Sequence, residues 1–308
     1  MRILFWGTPD FAAPPLRALM GEGFEVVGVV TQPDKPQGRS REIIPSPVKQ
    51  IALEEDLPLF QPKNARDPDL LEMLNVIKPD ISIVVAYGHI LPQNIIDLPS
   101  KGTLNIHASL LPALRGAAPI QAAIRQGLHK TGISIMRMVP PLDAGPVLVQ
   151  AETEVYDDET YGELKTRLAE LGALALLEAL AFLAAGKAKE KPQEESRATY
   201  APKINRDSGR IDWKLSAIEI ARLIRAFDPK PGAFTTSEKG DIKLFGPRVI
   251  DGIKGKPGEV IKVTGELIIA CGTDALRITE VQPTGKKRMA AHDWARGRGA
   301  KAGDRYGV

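Results

Sequence analysis

"DISIVVAYGHILPQNIIDLPSKGTLNIHA", residues 80 to 108, holds two short apolar runs, DISIVVA at 80 to 86 and GTLNIHA at 102 to 108. Each has the length and β-branched content of a buried strand. The same grammar extends upstream, with RILFW at 2 to 6, a helical DFAAPPLRALMGEG, and FEVVGVV at 24 to 30. Short apolar strands alternating with helical stretches predict a mostly parallel, Rossmann-like sheet with helices on both faces. TGISIMRMV at 131 to 139 and PVLVQAETEV at 146 to 155 follow one another without a helix, so they should extend that sheet as an antiparallel pair. A long helix then opens at Thr160 with a Glu163 capping box, carries Leu164, Leu168, Leu171, Ala175 and Phe182 along one face, and stops at Gly186.

From 187 to 203 the chain lacks apolar periodicity and reads as a surface linker. Beyond it, SAIEIARLIRAFD starts with a Ser216 and Glu219 capping box, and DIKLFGPRVI, GEVIKV, ELIIACG and ALRITEVQ follow as short strands with Gly-rich turns. Together they predict a smaller β-barrel of the oligonucleotide-binding (OB) type. The expected organisation is therefore α/β: a domain at 1–186, a linker at 187–203 and an OB-like domain at 204–308.

Composition narrows the class. With 43% hydrophobic and 26% charged residues, the chain is neither disordered nor fibrous. Its single cysteine, Cys271, has no intramolecular partner, which suits a reducing compartment. No apolar segment reaches bilayer length, so a cytoplasmic protein without membrane contact is expected. Through Pro202 there are 20 Lys/Arg against 25 Asp/Glu, and beyond it 21 against 13, so a net −5 is followed by +8. A basic second half is either a footprint for nucleic acid or a solubilising surface, and charge by itself does not choose between them.

In a strand, Asn105 and His107 point to one face while Leu104 and Ile106 point to the other. They stand at the carboxyl end of their strand, where doubly wound sheets bind ligands. A core histidine satisfied by neighbouring backbone would show the same pattern. Asp143, in the Pro- and Gly-bounded loop PPLDAGPV, adds a carboxylate that a turn can fix at a cleft. Amide, imidazole and carboxylate together suit acyl transfer to an amine: one donates to an oxyanion, one moves a proton, and one orients the second. No serine sits in a G-x-S-x-G elbow, so direct attack by the amine is the simpler route. GTPDFA offers one glycine where a dinucleotide fingerprint needs three, which disfavours a nicotinamide enzyme. No His, Cys and carboxylate cluster has metal-ligand spacing, so no metal is expected.

NIHASLLP, RGAAPIQ and LDAG resemble the folate-dependent formyltransferases. GTPDFA, TQPDKPQGR, PSPVK, YGHILP, TGISIM, YAPKI, GRIDW, IRAFDPKPGAF and GKKRM, in that order, extend the resemblance over the chain to the branch acting on initiator methionyl-tRNA. The resemblance implies transfer of the formyl group of 10-formyltetrahydrofolate to the methionine α-amino group, in translation initiation. Its catalytic positions fall on Asn105, His107 and Asp143, which would stabilise a tetrahedral intermediate. Folate contacts fall on Ser109, Leu110, Leu111 and Pro112, with Tyr87, Gly88, Ile90 and Leu91 lining the same pocket. His89 reads as a solvent-facing loop residue. The loop at 31–49 would enter the tRNA acceptor arm with Lys35, Arg39, Arg41 and Lys49, Arg39 being its main reading residue, while Lys286, Lys287 and Arg288 grip the RNA from the basic second domain. The implied protein is a monomer.

Two positions depart from the family pattern, Leu114 where an aromatic residue often precedes the Arg-Gly, and Pro141 where a glycine usually precedes the Leu-Asp. Both border the expected folate pocket. The alternatives are formylation of a small amine such as an amino sugar nucleotide, and RNA binding without catalysis.

Overall fold

The computed structural model describes residues 1–37, 42–238, 240–297 and 299–307. Elements run in the order β1 (Arg2–Gly7), α1 (Ala13–Gly21), β2 (Glu25–Val30), β3 (Pro36–Gln37), β4 (Glu42–Ile43), α2 (Pro47–Glu54), β5 (Leu59–Phe60), α3 (Pro68–Ile77), β6 (Ile81–Val85), α4 (Gln93–Ile96) and β7 (Thr103–His107). Next come α5 (Pro119–Gln126), β8 (Lys130–Arg137), β9 (Val147–Glu154) and α6 (Tyr161–Ala184). The chain closes with α7 (Ala217–Ala226), β10 (Phe234–Ser237), β11 (Gly240–Ile250), β12 (Val260–Lys262), β13 (Leu267–Ala270), β14 (Ala275–Pro283), β15 (Met289–Ala290) and α8 (Ala291–Arg296). Contacts divide it into two units: residues 1–119, 130–154 and 165–201, and residues 120–129, 155–164 and 202–308.

The first unit is built on a seven-stranded sheet of order β5-β2-β1-β6-β7-β8-β9. Its five strands from β5 to β7 are parallel, while β8 and β9 are added antiparallel, as the helix-free pair predicts. Every residue of β6 is buried, as are Ile3, Leu4, Phe5 and Trp6 of β1, because both sheet faces are covered. Behind β7 the Gly172 turn of α6 lies against Ile106 and Ile133, which leaves the Asn105 and His107 face turned the other way.

The buried stripe of α6 differs from the predicted one. Leu164, Leu168, Ala175, Leu176, Ala179 and Leu180 are buried, but Phe182 is 40% exposed in the last turn. The capping box at its start is present: Thr160 N–H donates to Glu163 at 2.8 Å, and Glu163 N–H to the Thr160 hydroxyl at 3.3 Å.

In the second unit a six-stranded antiparallel sheet runs β10-β11-β14-β13-β12, with β15 paired to β14. Its path ends at β10 and β12, a curled half-barrel that agrees with the smaller OB-like barrel the sequence predicts. Gly246, at φ +58 within the eleven-residue β11, takes the left-handed conformation that lets this strand bend. The predicted Ser216 and Glu219 box caps α7, whose apolar face is buried. A cap of this kind contributes about 1 kcal/mol.

Cys271, 3% exposed, lies just beyond β13. Burial, reinforced by the Asp274 carboxylate, pushes its thiol up to about 12. Only the thiolate alkylates. Iodoacetamide at pH 8 should therefore leave the folded protein unlabelled and modify it once denatured. Labelling of the native protein at the rate of a free thiol would contradict this burial.

Candidate active site

β7 delivers two of the three predicted groups. Asn105 pairs with Val84 of β6 and Met136 of β8, and His107, the last residue of the strand, lies opposite Ser134. Asn105 is part-exposed, and among the described residues its carboxamide has no hydrogen-bond partner. That leaves two N–H donors and a carbonyl available to a ligand.

His107 is 5% exposed and doubly engaged. Its Nε2 lies 3.0 Å from the Leu114 carbonyl, which can only accept, so Nε2 carries a proton. In the neutral ring Nδ1 is then the basic nitrogen, and it faces Asp143 Oδ2 at 3.6 Å. Asp143, 9% exposed, comes from the loop between β8 and β9, and its Oδ2 accepts the Gly116 N–H at 2.8 Å. This carboxylate is poised to stabilise a proton arriving on Nδ1.

The loop after β7 is shaped by polar contacts that sequence reasoning missed. Ser134 Oγ donates to the Ser109 carbonyl at 2.7 Å and accepts the Leu111 N–H at 3.0 Å. Gln150 Nε2 donates to both Ser134 Oγ, at 2.9 Å, and the Leu111 carbonyl, at 2.8 Å. The available signal was the buried serine within GISIM on the strand beside His107. Ser109 donates to the Ala113 carbonyl at 2.5 Å, and Leu111 packs with Met136 and Val147. Leu110 and Pro112 flank that cluster, both part-exposed.

YGHILP leaves the end of β6. Tyr87 is 1% exposed, its ring edge-on to Trp6 at 5.2 Å and to His89 at 5.6 Å, and burial pushes its phenol up to about 12. Its carbonyl accepts from Thr8 Oγ1 at 3.2 Å and Gln32 Nε2 at 2.9 Å. Leu91 is buried, Gly88 is exposed, and Ile90 projects outward at 85% exposure. His89 differs from its expected place: it is part-buried, with Nδ1 enclosed.

Of the cations predicted to meet RNA, Arg39 and Arg41 lie outside the described residues. Lys35 is exposed and donates to Gln32 Oε1 at 3.0 Å. Lys49 sits in the first turn of α2, not in a loop, and is bonded to Asp34 at 2.5 Å and Gln61 at 2.9 Å. The bond to Lys49 holds the Asp34 carboxyl below the usual carboxylate range. Lys286 and Lys287 are exposed. Arg288 is spoken for: it makes two bonds to Asp228, at 2.7 and 3.2 Å, reaches Glu280 at 2.5 Å, and lies 4.0 Å above the Phe245 ring.

Among the described residues no His, Cys, Asp and Glu group could hold a metal, and no helix is long and apolar enough to cross a membrane. The site has the makings of an acyl-group transferase that works through side chains: a free amide, a basic imidazole nitrogen and a fixed carboxylate. Residues 1–180 match the family model described as formyl transferase, and residues 203–299 match that of the formyl transferase C-terminal domain. The chain belongs to the formyl transferase family.

Over 309 aligned positions it is 48% identical to the methionyl-tRNA formyltransferase of Methylococcus capsulatus, with 100% of both chains covered. It is 45% identical over 294 positions to the methionyl-tRNA formyltransferase of Pseudomonas putida strain GB-1, covering 95% of this chain and 94% of that one. HypX from Aquifex aeolicus, solved with tetrahydrofolic acid, has a TM-score of 0.68 at 23% identity over 97% of this chain, which spans 47% of HypX. An N-formyltransferase from Helicobacter canadensis, solved with folinic acid and dTDP-3-aminofucose, gives 0.69 at 15% identity, covering 93% of this chain and 99% of that one. These two structures share its fold.

Proposed function

We propose that this protein transfers the formyl group of 10-formyltetrahydrofolate to the α-amino group of methionine on initiator tRNA. The observation that carries the reading is end-to-end identity of 48% to a methionyl-tRNA formyltransferase. The site's chemistry agrees with it: Asn105 is unpartnered at the carboxyl end of β7, beside the His107 and Asp143 pair.

The folate cosubstrate supplies an activated formyl carbon. Asn105 donates an N–H to the formyl oxygen as the amine attacks and negative charge gathers there. His107, fixed through Nε2, accepts the amine's proton at Nδ1 and returns it to the departing folate nitrogen as the carbon–nitrogen bond breaks. Asp143 stabilises the imidazolium between those events. Leu111, Met136 and Val147 give a flat heterocycle an apolar wall, and Ser109, Leu110, Pro112, Tyr87, Gly88, Ile90 and Leu91 complete the assigned pocket.

We assign the loop at 31–49, with Arg39 as its reading residue and Lys35 and Arg41 beside it, to the acceptor arm. The exposed Lys286 and Lys287 supply backbone attraction. Lys49 beside the loop and Arg288 in the second domain are each held by a carboxylate and serve chiefly by shaping their own surroundings. The protein acts as a cytoplasmic monomer with a catalytic domain at 1–186 and a basic RNA-binding domain at 204–308.

Incubating the protein with 10-formyltetrahydrofolate and methionine-charged initiator tRNA should yield formylmethionyl-tRNA. Formylation of an amino sugar nucleotide under conditions where charged tRNA stays unmodified would overturn the reading in favour of a small-amine enzyme. Salt-sensitive tRNA binding without formylation of either would leave a binding protein.

A further inference from the structure

The stretch from 191 to 201 pairs with the active-site loops. Lys191 exchanges both backbone hydrogen bonds with Val147 at 2.9 Å. Thr199 accepts the Arg115 N–H through its carbonyl and the Leu114 N–H through its hydroxyl, each at 2.9 Å, and Ala201 N–H donates to the Arg115 carbonyl at 2.7 Å. At Gly116, φ +115, a side chain would stand 2.7 Å from the Ala201 carbonyl, so only glycine lets this strap close in.

Within the strap, Gln193 reaches the catalytic loop. Its two Nε2 hydrogens serve the Asp143 carbonyl at 2.8 Å and the Gly145 carbonyl at 2.7 Å. Its Oε1 accepts Arg115 Nε at 3.0 Å. Arg115, 3% exposed, is held in turn by the Glu195 carboxylate at 2.8 and 3.0 Å. The residue after Arg115 is Gly116, whose N–H binds Asp143 Oδ2. A closed circuit results, from the Asp143 carboxylate through Gly116, Arg115 and Gln193 back to the Asp143 carbonyl.

Asp143 needs such support. Its φ of +52 is a left-handed conformation that a non-glycine residue keeps only when its surroundings fix it. Without the amide of Gln193, two carbonyls of this turn lose their donor and Arg115, next to the Gly116 that binds the carboxylate, loses the acceptor for its Nε.

We infer that Gln193 is a positioning residue for Asp143, holding the carboxylate opposite His107 Nδ1 from a strap outside the NIHASLLP and LDAG motifs; this rests on the proposed formyl transfer. A carboxylate displaced by about 1 Å can cost up to about 100-fold in rate. Gln193→Glu keeps the length and the acceptor for Arg115 but turns the two donors into an oxygen facing carbonyls.

In steady-state formylation of charged initiator tRNA, Q193E should lower kcat by about 10- to 100-fold while KM for tRNA and folate moves by less than about twofold. Hydrogen exchange at the Gly116 amide should quicken, a readout independent of activity. Arg197→Ala, on the same strap but with a side chain 74% exposed, should change neither. If Q193E does not fold, Gln193→Met, which lacks donors and charge, takes its place. Retained kcat, a rise in KM in step with any loss, or unchanged exchange at Gly116 would overturn the inference. Wild-type protein that formylates neither tRNA nor a small amine would sink the functional reading instead, with the exchange measurement still deciding whether Gln193 holds the turn.

Discussion

Replacing His107 by alanine should lower single-turnover formyl transfer by about 100-fold or more, the usual worth of a group that moves a proton in the transition state. The loss should fall on kcat and leave folate and tRNA affinity nearly unchanged, because the ring's basic nitrogen faces Asp143 and serves proton transfer, not binding. The Asp143 carboxylate keeps its bond from the Gly116 N–H in the variant, so the loop retains its anchor. The Leu114 carbonyl loses its donor, at a cost of roughly 1–3 kcal/mol, so thermal unfolding should be measured beside the rate. His107→Gln restores a donor without a basic nitrogen and should be equally slow but more stable. A full rate in either variant would remove His107 from the mechanism.

The second large effect is expected within the second unit. Arg288→Ala leaves the Asp228 carboxylate, 7% exposed, without its two charged bonds. Removing one member of a buried pair costs about 3–5 kcal/mol, and a guanidinium one-third exposed lowers that to about 2–3 kcal/mol. Loss of its stacking on Phe245 adds to the penalty. The melting temperature should drop by several degrees, and Asp228→Asn in the same chain should recover part of the drop. An unchanged melting temperature with weaker tRNA binding would instead make Arg288 an RNA contact, as its place in GKKRM suggests.

What was legible in the sequence was local. The alternation of Asn105 and His107 against Leu104 and Ile106 placed two polar groups on one face of β7, and the Thr160 and Ser216 boxes marked two helix starts that the structure keeps. Phe182 was misplaced because helical periodicity does not say where a helix outruns its support, and the last turn of α6 does so. The strap is illegible in the sequence for a different reason. Its partners lie far along the chain, Arg115 to Gln193 across 78 positions, and a backbone ribbon satisfied by loops needs no apolar period. Charge in a basic stretch reveals nothing about a carboxylate brought in by the fold, so the ion pairs of Lys49 with Asp34 and Arg288 with Asp228 are not legible in the sequence.

The backbone pairing of residues 191–201 with the Leu114 and Val147 segments sets a limit on how small a working transferase of this kind can be made. Shortening the polypeptide at Gly186, where the long helix ends and a module boundary looks natural, would strip the outer rail from a turn that must stay rigid. A transplantable catalytic module has to carry the chain through Ala201, and a protease nick inside that rail should silence turnover while every residue touching the substrates is still in place.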